Sequence, residues 1–353
     1  MEEELQHIIL YSSRSFNSII DGFSAKEGLA IFELDCHWRI CSWWDGEHIA
    51  RSYTDLEGWL RFRKDGAYHF LPLIGGALGW IAYDQGIEGE DLPQKSSQIE
   101  NMLFWSCSGA ICYEITSGAY HIIGSKRFCD EAKSGFEQPS VKQRANAVSI
   151  PSPSILQKDV YTRSVQTLLE EIREGRVYQA NLSWKSQTFH IRNPLAHYQK
   201  LQRYNPARFG AFLQFESHTI VSNSPELYLR AHKNQKICLE SIPIKGTAVR
   251  SREGKEQLWT SEKEKAELTM IVDLVRNDLG RVAEVGSIHT HHRAIRRCGD
   301  LYHAEQKIHA QLKEERSLID AIRATFPPGS ITGAPKIAAM KLIYELEPHA
   351  RGI

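Results

Sequence analysis

The chain has 353 residues, of which 42% are hydrophobic and 24% are charged, a balance typical of a globular protein with a large core. Lysine plus arginine and aspartate plus glutamate number 43 each, so net charge gives no general attraction to nucleic acid or to an anionic membrane, and binding has to come from a local site. The seven cysteines match no metal-ligand spacing. We find neither a secretory signal pattern nor an apolar run of about 18 residues, so we expect a cytoplasmic protein with reduced thiols.

Residues 1–130 contain short β-branched and aromatic runs broken by glycine, among them IFELDCHWRICSWW, PLIGGALGWIAYDQG and AICYEITSGAYHIIG. Such runs predict the strands of a large, mainly antiparallel sheet. Residues 131–158 are polar and contain three prolines, which predicts a linker.

Residues 159–353 mix helical and strand patterns, which favours an α+β fold with large antiparallel sheets flanked by helices. One apolar stripe predicts a helix capped by Asp159 and stopped by Gly175. A second helix is predicted from Ser261, which forms a capping-box pattern with Glu264, to Asp278. SLIDAIRAT and GAPKIAAMKLIYELEP predict two more helices.

Glu264 and Glu267 are three residues apart on the second helix and therefore share a face. Their carboxylates repel each other unless a cation lies between them, and Mg²⁺ accepts one or two carboxylates together with water and a ligand oxygen. The alternative is a solvated first turn whose acids complement the helix dipole.

Three single residues have two interpretations each. Lys245 follows an apolar strand in IPIKGT, where burial can make a lysine nucleophilic, but an exposed turn lysine fits the same pattern. Glu226 in SNSPELYL could be a general acid or the end of a strand. His303 in DLYHAEQKI could polarise a ligand or belong to the core.

PPGSITGAPK, residues 327–336, is a glycine-rich turn that leads into a helix. Its free backbone N–H groups and Lys336 could face an anion, although the phosphate-binding GxxxxGK[ST] pattern is absent. The alternative is an ordinary helix N-terminus after a Pro-Gly turn.

The second half of the chain contains, in this order, the segments VYQANLS, SNSPELYL, PIKGT, EKAELTMIVDLVRNDLGRV, EVGSIHT, LYHAEQKI and FPPGSITGAPKIAAMKLIYELEPHARG. Together these segments resemble the chorismate-utilising enzymes over nearly the whole second half of the chain. That family includes the first components of anthranilate and aminodeoxychorismate synthases and the isochorismate and salicylate synthases. Gln179 stands where the two hydrating enzymes have a lysine that activates water, so the resemblance implies ammonia as the nucleophile.

Lys245 makes the chain most similar to the aminodeoxychorismate synthase branch, because anthranilate synthases usually read PIAGT where this chain reads PIKGT. The resemblance implies that Lys245 is the nucleophile, that Glu226 is the general acid and that His303 lies near the leaving hydroxyl. It further implies substrate contacts from Gln179, Thr247 and Thr332. Glu267 is implied as a Mg²⁺ ligand and Glu264 as its water-mediated partner.

The implied reaction converts chorismate and ammonia to 4-amino-4-deoxychorismate, with the ammonia supplied by a glutamine amidotransferase subunit. Segments that family members carry after this region are absent from the sequence, so we expect a catalytic region over residues 159–353 that is truncated at its C-terminus and inactive alone. An anthranilate synthase component and a non-catalytic scaffold that binds an amidotransferase remain as alternatives.

Overall fold

A computed structural model of the chain describes residues 5–60, 70–87, 92, 95–137, 155–184, 191–233 and 235–353. The chain divides into two compact units. Unit 1 comprises Met1–Trp80, Met102–Val148 and His190–Pro225, and unit 2 comprises Ile81–Asn101, Ser149–Phe189 and Glu226–Ile353. Segments of the two units therefore alternate along the chain.

The strands of the described residues are, in chain order, β1 (Gln6–Tyr11), β2 (Ala30–Leu34), β3 (Trp38–Ser42), β4 (Ile49–Ala50), β5 (Gly76–Ile81), β6 (Met102–Cys107), β7 (Gly109–Glu114), β8 (Ala119–Gly124), β9 (Gln179–Ala180), β10 (Phe209–Phe215), β11 (His218–Ser224), β12 (Leu227–Lys233), β13 (Ile237–Ile242), β14 (Ile244–Val249), β15 (His289–Thr290), β16 (Ala294–Cys298), β17 (Leu301–Glu305), β18 (Ile308–Gln311) and β19 (Gly333–Ala334). The α-helices of the same residues are α1 (Phe16–Ile20), α2 (Tyr53–Trp59), α3 (Lys126–Glu137), α4 (Ile155–Arg173), α5 (Pro194–Tyr204), α6 (Arg252–Thr260), α7 (Glu262–Gly280), α8 (Leu318–Thr325) and α9 (Lys336–Leu346). None of the described helices is long and apolar enough to cross a bilayer.

Unit 1 contains a seven-stranded antiparallel sheet with the order β1-β8-β7-β3-β2-β10-β11, and a smaller sheet with the order β4-β6-β5. Buried apolar side chains from the large sheet and from α1, α3 and α5 form its main core, which includes Phe16, Ile19, Leu29, Trp43, Tyr120, Phe128 and Phe212. The β-branched and aromatic runs of the sequence supply these side chains, because alternate residues of a strand share a face.

Unit 2 contains a four-stranded sheet with the order β12-β13-β18-β15, a three-stranded sheet with the order β14-β17-β16, and the pair β9-β19. Its core joins the apolar stripe of α7 to strands β13, β17 and β18, through Leu239, Leu268, Val272, Leu279, Ala304, Ile308 and Ala310. The strands β14 and β17, which carry several of the predicted site residues, thereby rest on α7.

The last residues of the chain pack against an early segment of unit 2. The Tyr83 backbone N–H donates to the Gly352 carbonyl at 2.8 Å. The Gly352 N–H in turn donates to the Asp84 carboxylate at 2.7 Å, and the Arg351 guanidinium lies 4.2 Å from the Tyr83 ring centroid. Residues far apart in sequence therefore complete one unit.

The α+β class and the large antiparallel sheets are confirmed. The units differ from the predicted division into residues 1–130, 131–158 and 159–353, because residues 81–101 belong to unit 2 and residues 190–225 to unit 1. The predicted start of the linker is wrong, since α3 continues to Glu137, and residues 138–154 lie outside the described residues. Helix α4 begins at Ile155, so Asp159 lies within it and is not its cap.

Candidate active site

Glu226 lies immediately before β12, where the chain turns from one strand to the next. Its carboxyl accepts hydrogen bonds from the Ser330 hydroxyl and from the backbone N–H of Ile244. Burial raises the pKa of this carboxyl, and the two hydrogen bonds and the nearby charge of Lys245 oppose the shift without cancelling it. A carboxyl in this environment holds a proton to higher pH than an exposed glutamate, as a general acid requires.

Lys245 lies on β14, and its Nζ donates to the Ser330 carbonyl oxygen at 3.2 Å. The same oxygen accepts a hydrogen bond from Nδ2 of Asn181 at 3.1 Å. Ser330 therefore binds the Lys245 amine through its carbonyl and the Glu226 carboxyl through its hydroxyl. The structure thus brings the predicted nucleophile and the predicted acid together around one residue.

Thr247 and His303 face each other across the β14–β17 pair. The Thr247 hydroxyl and Nδ1 of His303 share a hydrogen bond of 3.0 Å. Burial lowers the pKa of the His303 imidazole, against the opposing effects of the Gly246 backbone and of Glu305. Near neutral pH this histidine is therefore a neutral hydrogen-bonding group, next to the segment that carries Lys245.

Glu264 reaches the same segment from the first turn of α7. The Ser261 hydroxyl caps this helix by accepting from the Glu264 backbone N–H, as the sequence predicted. Gly246 has φ +84°, and a Cβ built there would lie 2.7 Å from Oε2 of Glu264. Only glycine combines this left-handed backbone with so close an approach of the carboxylate.

Glu267 lies one turn farther along α7 and forms a long ion pair, 3.8 Å, with Lys263. No group of three or more histidine, cysteine, aspartate or glutamate side chains in the described part of the chain could hold a metal ion. Glu264 and Glu267 could hold Mg²⁺ only as two carboxylate ligands, with water and a bound ligand in the other coordination positions of the ion. The glycine at 246 keeps the space beside Glu264 free, which is consistent with such use.

Gln179 and Thr332 lie on the short β9–β19 pair and beside it. Oε1 of Gln179 is buried and has no hydrogen-bond partner among the described residues, so it is available to a ligand. The Thr332 side chain is fully buried, and its hydroxyl donates to the Pro328 carbonyl at 2.8 Å. This donation leaves the Thr332 oxygen only an acceptor role toward a substrate.

Lys336 does not face an open anion site, contrary to one interpretation of the sequence. Its Nζ lies 2.6 Å from Oδ2 of Asp278 and donates to the carbonyls of Thr325 and Pro327 at 3.0 and 3.1 Å. Both members of the ion pair are nearly buried, with side-chain exposures of 11% and 7%. Burial raises the pKa of Asp278 to about 6, and the charges of Lys336 and Arg281 oppose the shift.

A cavity of about 20 Å³ lies beside Glu226. Ser241, Asp278, Thr325 and Ser330 contribute polar side chains to its wall. The volume is enough for about one water molecule, and the wall offers it several hydrogen-bonding groups. A second, apolar cavity of about 240 Å³ is lined by Tyr161, Trp184 and residues 346–351, and none of the predicted site residues borders it.

Sequence reasoning missed Ser330, Asn181 and Asp278 as members of this cluster. For Asp278 a signal was present, because an acid there interrupts the buried stripe of α7 that includes Leu268, Val272 and Leu279. An acid on an apolar stripe needs a buried partner, and Lys336 is that partner. Ser330 gave no such signal, because its backbone carbonyl makes the contact to Lys245.

Known proteins resemble this chain in sequence over most of its length. The chain is 31% identical to aminodeoxychorismate synthase component 1 of Bacillus subtilis over 98% of this chain and 78% of that protein. It is 30% identical to an anthranilate synthase component 1 of Haloarcula marismortui, over 87% of this chain and 66% of the relative, so it spans about two thirds of that relative's length.

The fold matches a solved structure as well as sequences. The crystal structure of anthranilate synthase component I from Streptococcus pneumoniae superposes with a TM-score of 0.72 at 23% identity, over 99% of this chain and 78% of that one. A model of the chorismate binding enzyme family matches residues 11–353, almost the whole length. The chain belongs to the chorismate binding enzyme family.

Proposed function

We propose that the chain is the chorismate-aminating component of an aminodeoxychorismate synthase, which converts chorismate and ammonia to 4-amino-4-deoxychorismate. The observation that carries the proposal is the shared anchoring of Lys245 and Glu226 on Ser330. An amine and a proton-holding carboxyl so placed can act on one substrate at the same time. The Bacillus subtilis relative bears the name of this activity.

The two side chains divide a difficult displacement into two steps. Nζ of Lys245 forms a bond to C2 of chorismate while the ring double bonds shift and the C4–O bond breaks. The C4 oxygen takes the proton of Glu226 and leaves as water. Ammonia then bonds to C4, the bond between C2 and Nζ breaks, and the proton lost by the new amine restores Glu226.

The neighbouring residues bind and orient the substrate in this proposal. Neutral His303, held by Thr247, lies toward the leaving hydroxyl, and the free Oε1 of Gln179 accepts a hydrogen bond from the substrate. Glu264 and Glu267 would hold Mg²⁺, which when bound neutralises the ring carboxylate.

Ammonia comes from a glutamine amidotransferase subunit in the proposed assembly. Ammonia is the second nucleophile of the proposed reaction, and its release from glutamine would require a separate catalytic group. This partner is part of the proposal and follows from the family resemblance of the Lys245 segment.

Anthranilate synthesis is the second candidate function, because the Haloarcula marismortui relative is named for it. In that reaction ammonia adds at C2 as the C4 hydroxyl leaves as water, and pyruvate is then eliminated to leave an aromatic ring. Lys245 argues against it, since a lysine amine beside C2 would occupy the position that ammonia has to reach.

Intact-protein mass spectrometry tests the assignment. A form of the protein extended to the full length of its relatives is incubated with chorismate and Mg²⁺ in the absence of ammonia. Its variants Lys245→Ala and Lys255→Ala are treated in parallel, and the second of them removes an exposed lysine of α6. We expect an adduct with the mass of chorismate minus one water in the wild type and in Lys255→Ala, and none in Lys245→Ala. Anthranilate and pyruvate after addition of ammonium, without any adduct, would refute the proposal in favour of the second candidate.

A further inference from the structure

The turn that carries Ser330 is held by a buried ion pair. Nζ of Lys336 donates to the Thr325 and Pro327 carbonyls, which lie at the start of the turn, while it pairs with Asp278 at 2.6 Å. Asp278 is fixed in turn by α7, whose apolar stripe packs into the core of unit 2. The ion pair therefore ties the beginning of the turn to a helix that packs into the core of the unit.

Hydrogen bonds within the turn carry this constraint to Ser330. The Thr332 hydroxyl donates to the Pro328 carbonyl, and the Thr332 backbone N–H donates to the Gly329 carbonyl at 3.1 Å. A Cβ on Gly329 would lie 2.4 Å from Cδ2 of Leu274 on α7, so the turn rests directly on the same helix. These contacts restrain the residues on both sides of Ser330.

We propose that the buried Asp278–Lys336 ion pair is a positioning device for the Lys245 amine. It fixes the turn of residues 326–335, and the Ser330 carbonyl of that turn fixes Nζ of Lys245 at 3.2 Å. A buried ion pair contributes little net stability because desolvation of both charges offsets their attraction, so its value here is the defined position of the turn. The importance of that position for catalysis rests on the function proposed above.

The test measures Lys245 without using chorismate. Acetic anhydride is reacted with the folded protein, and the rate of acetylation of Lys245 is read by peptide mass spectrometry relative to exposed Lys255 in the same sample. The variant Asp278→Asn/Lys336→Met replaces the pair by neutral groups of similar size. The matched control Asp273→Asn/Arg276→Met removes an exposed ion pair of 2.8 Å on the same helix.

We expect the ratio of Lys245 to Lys255 acetylation to rise roughly threefold to tenfold in the buried-pair variant, as for the loss of one hydrogen bond, and to stay unchanged in the control. A folded variant with an unchanged ratio would overturn the proposal. The single substitution Lys336→Met should destabilise the fold less than the double substitution, because Asp278, with its raised pKa, can become neutral by binding a proton. If the double variant does not fold, the same ratio in Lys336→Met decides between the two outcomes.

A second measurement separates this inference from the proposed function. The chorismate adduct on Lys245 is measured in the full-length form used for the test of the proposed function, as the wild type and with the same substitutions. A rise in acetylation together with a loss of the adduct supports both proposals. A rise in acetylation with no adduct even in the wild type leaves the ion pair as a positioning device for Lys245 and refutes the covalent mechanism.

Discussion

Gly246 lies between the predicted nucleophile Lys245 and the predicted substrate contact Thr247, and its substitution by alanine should disturb the site in a measurable way. The backbone there has φ +84°, which costs an alanine about 1–2 kcal/mol. The new Cβ would also lie 2.7 Å from Oε2 of Glu264 and 3.0 Å from Cδ2 of Leu258. An ordinary contact is 3.4 Å or longer, so the Glu264 carboxylate has to retreat by about 0.7 Å.

The structure provides a control that separates backbone strain from steric displacement. Gly286, also in unit 2, has φ +78°, and a Cβ there would meet nothing within 4 Å. Gly286→Ala should therefore lose only the backbone contribution, about 1 kcal/mol of the free energy of unfolding. Gly246→Ala should lose about 1–3 kcal/mol more, as in other overpacked sites.

Urea unfolding of both variants measures the two losses, and Glu264→Ala combined with Gly246→Ala tests their origin. We expect the double substitution to recover part of the additional loss, because it removes the crowded carboxylate. Equal losses for Gly246→Ala and Gly286→Ala would show that Glu264 does not press on this glycine. The account of the site as a closely fitted group of Gly246 and Glu264 would then be wrong.

Three further predictions concern the charged groups of the site. Because the pKa of Glu226 is raised on folding, its contribution to stability is present below the unfolded pKa of about 4.5 and is lost as pH rises through the folded pKa. In urea unfolding, Glu226→Gln should therefore be as stable as the wild type at pH 4 and more stable than the wild type at pH 8. The pKa of His303 is lowered on folding, so its contribution to the free energy of unfolding is present above about pH 6.5 and is lost as pH falls through the folded pKa. The free energy of unfolding of His303→Gln should therefore vary less than that of the wild type between about pH 7 and 5. Glu264→Gln and Glu267→Gln should each weaken Mg²⁺ binding in the presence of chorismate by roughly tenfold or more in calorimetry.

Matched variants show whether these effects belong to the site. Glu256→Gln and His37→Gln change exposed residues outside the site and should leave both pH profiles unchanged. Glu262→Gln alters an exposed acid in the same first turn of α7 and should leave Mg²⁺ binding intact. Equal pH profiles for Glu226→Gln and the wild type would remove the evidence for a buried acid, and full Mg²⁺ affinity without Glu264 and Glu267 would place the metal elsewhere.

Local sequence signals predicted the helices near the site with good accuracy. The Ser261 cap of α7 follows from the side chain that best satisfies the free N–H groups of a helix start. The end of α8 before Pro327 follows because proline cannot continue a helix. These features depend on a few neighbouring residues, so the sequence alone is enough to find them.

Tertiary contacts explain what the sequence did not predict. Asp159 has the chemistry of a helix cap, yet α4 starts at Ile155, so local preference did not decide the boundary. One of the two interpretations of the sequence has Lys336 facing an external anion, because the partner that neutralises it lies 58 residues earlier, at Asp278, and no local pattern points to it. The role of Ser330 rests on a backbone carbonyl, which every residue type possesses, so no residue pattern predicts it.

The contact between the last residues and Asp84 has a consequence for folding during synthesis. Gly352 donates to a side chain 268 positions earlier in the chain. The segment that begins unit 2 therefore emerges from the ribosome long before Gly352 exists, and it cannot form this contact while the residues between them are made. We expect unit 2 to acquire its native structure only after Gly352 has been synthesised, slowly and with a need for protection from aggregation in the interval.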